Sequence, residues 1–291
     1  MTAPLTKRFP PVVPALLHDA LVVVAIVVIA SGWLIAVRFI ADDGIRHAAI
    51  DAHAYWSADL TNLYNRAVVG ELDSFLYSPA AAQVLWPLTL LPWVVFYGVW
   101  TAILIACLVF LVGPVLGAAF LLLPPVWADV TTGNIHLLLA TAIVVGFRFP
   151  GAWALVLLTK VTPGVALLWF ALRREWRLLG LAVAVTAAIA AISVASVGHL
   201  WTDWVATLLD NSSATPRLLG VPLWIRLVAA AIFLGIGALT STRWMVPAAA
   251  MLALPVLWEN SLTMLLGGVA LLPWSALQRM RRWPWFRIHA R

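Results

Sequence analysis

The chain has 291 residues, of which 64% are hydrophobic and only 10% are charged. A soluble domain is about 45–50% apolar and about 25% charged, so this chain has too few polar groups to cover a water-facing surface. Its net charge of +6 could attract nucleic acid, but the basic residues flank apolar runs, which is the positive-inside pattern of membrane proteins. We therefore predict an all-α polytopic membrane protein with a lipid bilayer and no nucleic acid as partner. Residues 1–291 form a single transmembrane domain in this interpretation.

The first long apolar run covers residues 21–40, enough to span the roughly 30 Å of a bilayer core. It is longer than the apolar part of a cleavable signal peptide, about 7–15 residues, so we interpret it as a retained helix. Lys7 and Arg8 precede it and place residues 1–18 in the cytoplasm. The basic tail, residues 278–291, is predicted on the same side.

The next segment, residues 41–78, holds six of the 12 acidic residues and is predicted to be an outer catalytic loop with short juxtamembrane helices. Within it, Asp51 and Tyr55 are four residues apart and would share one face of a helix. A carboxylate held over a membrane-embedded cavity can act as a general base. The alternative is a solvated loop carboxylate or a helix cap.

Asp42 and Asp43 lie directly after the predicted first helix. Adjacent carboxylates can hold a divalent metal ion, and these two are the candidates if the protein depends on a metal. An acidic stop outside a transmembrane helix is the other interpretation, and we favour it. We therefore expect no cofactor.

Nine further apolar segments follow the loop, and several are interrupted by proline, which marks kinks or helix ends. They cover residues 79–91, 93–112, 114–127, 133–148, 151–172, 177–197, 222–240, 244–257 and 262–277. With the first helix they give ten crossings if each spans the membrane. They give eight if 79–112 crosses once and 151–172 is re-entrant. No clear internal repeat is present, which argues against an inverted-repeat transporter.

Lys160 lies inside an apolar segment and is the only lysine after Lys7. An ammonium group at bilayer depth costs on the order of 2.5–3.5 kcal/mol, and a bound anion such as a phosphate would offset that cost. Snorkelling, or a structural pair with an acid such as Asp129, is the alternative. Arg217, in the polar segment 199–220 that charge parity places outside, is a second candidate for binding phosphate.

Two short polar groups could line a cavity. Asn134 and His136 stand at the predicted start of an apolar helix, where an amide and an imidazole could orient a polar substrate. A helix cap followed by an interfacial histidine is an equal alternative. Glu259 and Asn260 form a polar island between apolar runs, and such islands usually line cavities.

Taken in chain order, these segments resemble the GT-C membrane glycosyltransferases of family 87, the polyprenol-phosphate-mannose-dependent α-1,2-mannosyltransferase type. The resemblance extends over roughly residues 45–275. It is carried by Asp51-Ala-His-Ala-Tyr55-Trp56, Phe75-Leu-Tyr77-Ser-Pro79, Pro87-Leu-Thr-Leu-Leu-Pro92, Gly133-Asn134-Ile-His136, Lys160-Val-Thr-Pro163, the basic turn Arg173–Arg177, and Pro255-Val-Leu-Trp258-Glu259-Asn260.

The resemblance implies a GT-C-like bundle of about 8–10 transmembrane helices and an inverting glycosyltransferase. Its donor would be a polyprenyl-phosphate hexose, with mannose expected, and its acceptor a hydroxyl of a glycolipid or glycan on the outer face of a bacterial plasma membrane. Asp51 would be the catalytic base, and Lys160 and Arg217 would bind the donor phosphate. The substrate-binding residues would be Tyr55, Tyr77, Asn134, His136, Glu259 and Asn260.

Two other functions stay open from the sequence. One is a non-enzymatic transporter or flippase for a lipid-linked or anionic ligand, with the outer acids as its entrance. The other is an accessory subunit, because Asn260 stands where the family tends to have a histidine.

Overall fold

The computed structural model describes residues 49–65, 67–213 and 220–272 of the chain. Within these ranges the chain forms α-helices and short 3₁₀ turns without any β-strand, which confirms the predicted all-α class. Several predicted features lie outside the described residues: the first helix at 21–40, Asp42, Asp43, Arg217, and the terminal segments 1–18 and 278–291.

The helices follow one another with short connections. They are α1 (Ile50–Trp56), α2 (Pro79–Thr89), α3 (Trp93–Val112), α4 (Pro114–Phe120), α5 (Pro124–Thr132), α6 (His136–Gly146), α7 (Trp153–Thr159), α8 (Leu168–Leu172), α9 (Trp176–Asp210), α10 (Leu223–Thr240), α11 (Met245–Leu252) and α12 (Leu265–Ala270). The 3₁₀ turns are Pro150–Ala152, Thr162–Leu167, Asn211–Ser213 and Glu259–Met264.

Three of the described helices, α3, α9 and α10, are long and apolar enough to cross a bilayer. Helices α4 and α5 could form a fourth span together, but the chain bends by 93° between them. Large apolar side chains on these helices point outward, as lipid contact requires: Leu239 is 89% exposed and Val94 78%. The chain is therefore a polytopic membrane protein, and the total of eight to ten crossings stays a prediction.

Helix α9 has 35 residues, about 52 Å at the usual rise, which exceeds the roughly 30 Å of a bilayer core. It is kinked at Val197, where φ is −139° and ψ is 46°. Across the kink, the Trp201 indole N–H donates a hydrogen bond to the Ser193 hydroxyl at 3.0 Å. The predicted end of the apolar segment at 197 thus coincides with the kink. The sequence did not predict that the helix continues through the polar residues to Asp210.

The core lies around α6, in which His136, Leu137, Leu139, Ala140 and Ile143 are fully buried. Helix α11 packs against α10 and against the turn Thr162–Leu167, while the turn Glu259–Met264 packs against α5 and α6. Segments from the middle and the end of the chain therefore meet at the first residue of α6, which is His136.

Arg226 fastens the first turn of α10 to the end of α11. Its side chain is buried, and its guanidinium donates hydrogen bonds to four carbonyl oxygens at 2.6–3.1 Å. The acceptors are the carbonyl groups of Val221, Leu252, Leu254 and Pro255. The carbonyl groups of Leu252, Leu254 and Pro255 lie shortly before the turn that carries Asn260, so Arg226 fixes where that turn begins.

We expect Arg226→Met to destabilise the protein by on the order of 3 kcal/mol, because buried carbonyls lose a charged donor. The effect is measured as a fall in the melting temperature of the detergent-solubilised protein. Arg177→Met is the matched control, since Arg177 is exposed. Equal melting temperatures for the two variants would contradict a structural role for Arg226.

Candidate active site around Asp51 and Lys160

Helix α1 rests directly on the end of α5. The backbone N–H of Ala49 donates a hydrogen bond to the Thr131 carbonyl at 2.9 Å. Gly133 ends α5 with a left-handed backbone, φ +74°, and a Cβ atom built there would lie 2.4 Å from the Cβ of Ala52. Only glycine permits this approach. The contact places Asp51, the neighbour of Ala52, beside the residues that follow α5.

We expect Gly133→Ala to weaken both stability and activity, because the added methyl must push α1 away and the backbone there disfavours an L side chain. A loss on the order of 1–3 kcal/mol in stability is expected. Gly98→Ala is the control, since a Cβ at Gly98 meets nothing within 4 Å. Thermal melting and sugar-transfer rates of both variants test this contact, and equal behaviour of the two would contradict it.

Asp51 is half-buried in α1, a helix outside the candidate spans, and neighbouring polar groups act on its carboxylate. Burial raises the pKa of Asp51, while the positive charge of Lys160 and the Asn134 and Thr132 side chains oppose that rise. The Asn134 Oδ1 accepts a hydrogen bond from the Ile135 N–H at 2.8 Å, which leaves the amide NH₂ to face the carboxylate. Asp51 is thus a carboxylate whose proton affinity is increased, as a general base requires.

Lys160 lies at a break in the predicted apolar segment 151–172. Helix α7 ends at Thr159, Lys160 has an extended backbone (φ −133°, ψ 104°), and the next turn begins at Thr162. Pro163 occupies the first turn of that 3₁₀ element. The interruption frees the lysine side chain from the helix surface. It also puts the ammonium group close enough to Asp51 to stabilise its charge.

A buried histidine–aspartate pair holds Lys160. The Lys160 Nζ lies 3.2 Å from His136 Nε2, and His136 Nδ1 lies 2.9 Å from Asp129 Oδ1. Because an ammonium group only donates, Nε2 accepts and Nδ1 carries the ring hydrogen, which it donates to Asp129. The other oxygen of Asp129 accepts from the Leu137 N–H at 3.1 Å. Asp129 therefore fixes the orientation of the His136 ring. His136 in turn positions the ammonium group of Lys160.

The turn Glu259–Met264 closes this group from the other side. The Ser261 hydroxyl lies 3.3 Å from His136 Nε2, and Asn260 is 9% exposed. The Oδ1 of Asn260 is buried without a hydrogen-bond partner among the described residues. Glu259 starts the turn and is half-buried. Unpaired buried polar atoms cost on the order of 1–3 kcal/mol each, so a polar ligand at this position would be stabilising.

The tyrosines Tyr55, Tyr64 and Tyr77 extend the site from α1 toward the rest of the loop. The hydroxyl groups of Tyr55 and Tyr77 are 2.9 Å apart, and the Tyr64 hydroxyl donates to the Tyr77 carbonyl at 2.7 Å. Burial, followed by the negative charge of Asp51, raises the pKa of Tyr77. The phenols therefore stay protonated at neutral pH and act as hydrogen-bonding groups.

The structure thus brings together most of the site residues predicted from the sequence. Asp51, Asn134, His136 and Lys160 interact, directly or through one another, and we call them, with Asp129 and Ser261, the central polar cluster. Tyr55, Tyr77, Glu259 and Asn260 belong to the segments beside it.

The sequence analysis left Ser261 and Thr132 out of the site and named Asp129 only as a structural partner of Lys160. For Asp129 a signal existed, a lone acid within an apolar segment. Ser261 and Thr132 carried no such signal, because hydroxyl residues are common in apolar helices and turns.

No group of three or more histidine, cysteine, aspartate or glutamate side chains suited to a metal ion occurs within the described residues. Asp42 and Asp43, the metal candidates from the sequence, lie outside those ranges.

Comparison with known proteins identifies the family. No curated protein and no solved structure matches the chain. The model of glycosyltransferase family 87 matches residues 75–288, which is more than half of the chain and includes His136, Lys160 and Asn260. The matched range begins after Asp51, so the interpretation of that residue rests on its position in the structure. The chain therefore belongs to glycosyltransferase family 87 and is a membrane glycosyltransferase.

Proposed function

We propose that the protein transfers a hexose, with mannose as the expected sugar, from a polyprenyl-phosphate donor to a hydroxyl group of a glycolipid or glycan. The single observation that carries this proposal is that the positive charge of Lys160 acts on the carboxylate of Asp51, in a site that also holds the buried, unpaired amide oxygen of Asn260. An acceptor hydroxyl needs a base, and a departing phosphate needs a positive charge. Asp51 and Lys160 offer these two groups within one site.

In the proposed reaction, Asp51 takes the proton of the acceptor hydroxyl as the acceptor oxygen attacks the anomeric carbon of the donor sugar. The bond between that carbon and the phosphate oxygen breaks, and its electron pair leaves with polyprenyl phosphate. Lys160 stabilises the charge that develops on this leaving group. The His136–Asp129 pair keeps the ammonium group in place throughout.

The arrangement of carboxylates supports inversion at the anomeric carbon. A retaining enzyme of the double-displacement type uses a second carboxylate, about 5–5.5 Å from the first, as nucleophile. In the central polar cluster the other carboxylate is Asp129, which is fully buried and already bonded to His136 and to the Leu137 N–H. Asp51 is left as a single base, which fits direct displacement.

We place the reaction on the outer face of a bacterial plasma membrane. Helix α1 belongs to the loop between the predicted first helix and α2, and the positive-inside rule puts that loop opposite the basic termini. Of the 18 arginine and lysine residues in the chain only two are lysines, an excess of arginine that favours a bacterial source.

The proposal is tested by incubating purified protein and methyl α-mannoside as acceptor, in separate reactions, with labelled polyprenyl-phosphate mannose, polyprenyl-phosphate glucose, GDP-mannose and UDP-glucose. We expect turnover of a polyprenyl-phosphate sugar only, and proton NMR of the product should show an anomeric configuration opposite to that of the donor. Turnover of nucleotide sugars alone, or retention of configuration, would contradict the proposal.

The fall in activity at low pH should reflect protonation of Asp51. Because burial raises its pKa, and only the deprotonated carboxylate accepts a proton, activity should fall on acidification at a pH above the ordinary aspartate range. Lys160 opposes that rise, so residual activity of Lys160→Met should be lost at still higher pH. The measurement is kcat/KM against pH, with recovery at neutral pH as the control for unfolding. If Lys160→Met loses activity at the same pH as the wild type, the assignment of Asp51 as the base beside Lys160 would be contradicted.

A further inference from the structure

A cleft separate from the central polar cluster lies between the loop and the last turns of α9. Its volume is about 330 Å³, at the lower end of the range for small-molecule sites. The loop contributes residues 61–65, and α9 contributes one face from His199 to Asp210. We call this space the loop–helix cleft.

The walls of the loop–helix cleft are fastened to each other. Asn211, at the end of α9, donates to the Ala67 carbonyl at 2.7 Å and accepts from the Val69 N–H at 2.9 Å. The Trp204 indole donates to the Leu76 carbonyl at 3.2 Å. These contacts join segments more than one hundred residues apart in sequence, so the cleft is a built feature of the fold.

The lining of the loop–helix cleft suits a ligand rich in hydroxyl groups. Its polar side chains are carboxylates, amides, hydroxyl groups and an imidazole, which can accept and donate hydrogen bonds at many angles. They include Asn62, Asn65, His199, Asp203, Thr207 and Asp210. Two carboxylates would repel a phosphate, whereas each can accept two hydrogen bonds from neighbouring hydroxyl groups of a sugar.

Tyr64 connects the loop–helix cleft with the proposed reaction centre. The negative charge of Asp203 acts on the Tyr64 phenol, whose pKa is raised mainly by burial. The same hydroxyl donates to the Tyr77 carbonyl, and the Tyr77 phenol meets Tyr55 on the helix that carries Asp51. Two successive contacts between tyrosines thus connect the cleft with the helix that carries Asp51.

We propose that the loop–helix cleft binds the saccharide part of the acceptor, while the Lys160 side of the molecule takes the donor phosphate. This inference rests on the proposed function and deepens it. It assigns the neutral acceptor to the loop–helix cleft and the anionic donor to the region of Lys160. Among the described residues that line the cleft, the charged side chains are the carboxylates of Asp203 and Asp210, which disfavour an anionic donor headgroup and can hold a neutral sugar. The central ammonium group attracts the phosphate.

The test measures saccharide binding without donor. Saturation-transfer difference NMR is recorded on detergent-solubilised full-length protein with methyl α-mannoside, methyl α-glucoside, methyl α-galactoside and methyl α-arabinofuranoside. Asp203→Asn and Asp210→Asn remove a carboxylate from the cleft. Glu71→Gln is the matched control, since Glu71 is an exposed acid of the same loop outside the cleft lining.

We expect at least one glycoside to bind wild-type protein and Glu71→Gln. Binding to at least one of the two cleft variants should be about tenfold weaker or more, the loss of a charge-assisted hydrogen bond. Each variant must retain the wild-type melting temperature to be scored. Absence of binding by every glycoside, or equal binding by all folded variants, overturns the proposal. Donor turnover without glycoside binding would remove this proposal alone. Glycoside binding without donor turnover would remove the proposed function, and with it the role of the bound sugar as an acceptor.

Discussion

Asp51→Asn is expected to lower sugar transfer by about 10²–10⁴-fold, the usual contribution of a positioned general base. The amide keeps the shape of the side chain but cannot take the acceptor proton. Because burial already disfavours the charged form of Asp51, its neutral replacement should leave folding intact. Initial transfer rates with a polyprenyl-phosphate sugar measure the effect in protein whose melting temperature matches the wild type.

Glu71→Gln is the control for loss of an acid from the same loop. Glu71 is exposed and does not line the loop–helix cleft. We expect its variant to transfer sugar at close to the wild-type rate. A folded Asp51→Asn protein with normal transfer would end the assignment of Asp51 as base.

Lys160→Met should produce the second large loss. Methionine is unbranched, one atom shorter than lysine and uncharged, so the departing phosphate loses its cationic partner. Removing one member of a buried charge pair costs about 2–5 kcal/mol, which corresponds to roughly 30- to 5,000-fold in kcat/KM for the donor. Both KM and kcat should change, because the phosphate is charged before the reaction and gains charge during it.

The surroundings of Lys160 explain why its position matters as well as its charge. His136 Nε2 accepts from the ammonium group, and Asp129 fixes the ring that does so. Arginine has a planar fork in place of a compact ammonium group, so Lys160→Arg should recover little activity. Unchanged donor kinetics in folded Lys160→Met protein would contradict a role in phosphate binding.

Local features of the site could be predicted because neighbouring residues determine them. The four-residue spacing of Asp51 and Tyr55 indicated a shared helix face, and both lie in α1. Pro79 was predicted at a helix start and occupies the first turn of α2. His136 was predicted to open an apolar helix and is the first residue of α6.

Contacts between distant segments could not be predicted, because packing decides which helices meet. Nothing near Gly133 in the sequence shows that Ala52 lies against it, eighty-one positions earlier. Likewise, the Lys160 segment has the hydropathy of a continuous helix, but the chain breaks there and turns the lysine toward α6. The continuation of α9 past Val197 depends in the same way on its packing against the loop.

The most direct test of the account uses proteoliposomes that contain the purified protein and a labelled polyprenyl-phosphate mannose, with methyl α-mannoside as acceptor. Two quantities are measured together: polyprenyl phosphate released from the donor, and intact donor that crosses the membrane. We predict release of polyprenyl phosphate by the wild type and almost none by Asp51→Asn. Passage of intact donor across the membrane, with no release by the wild-type protein, would contradict the account and indicate a transporter.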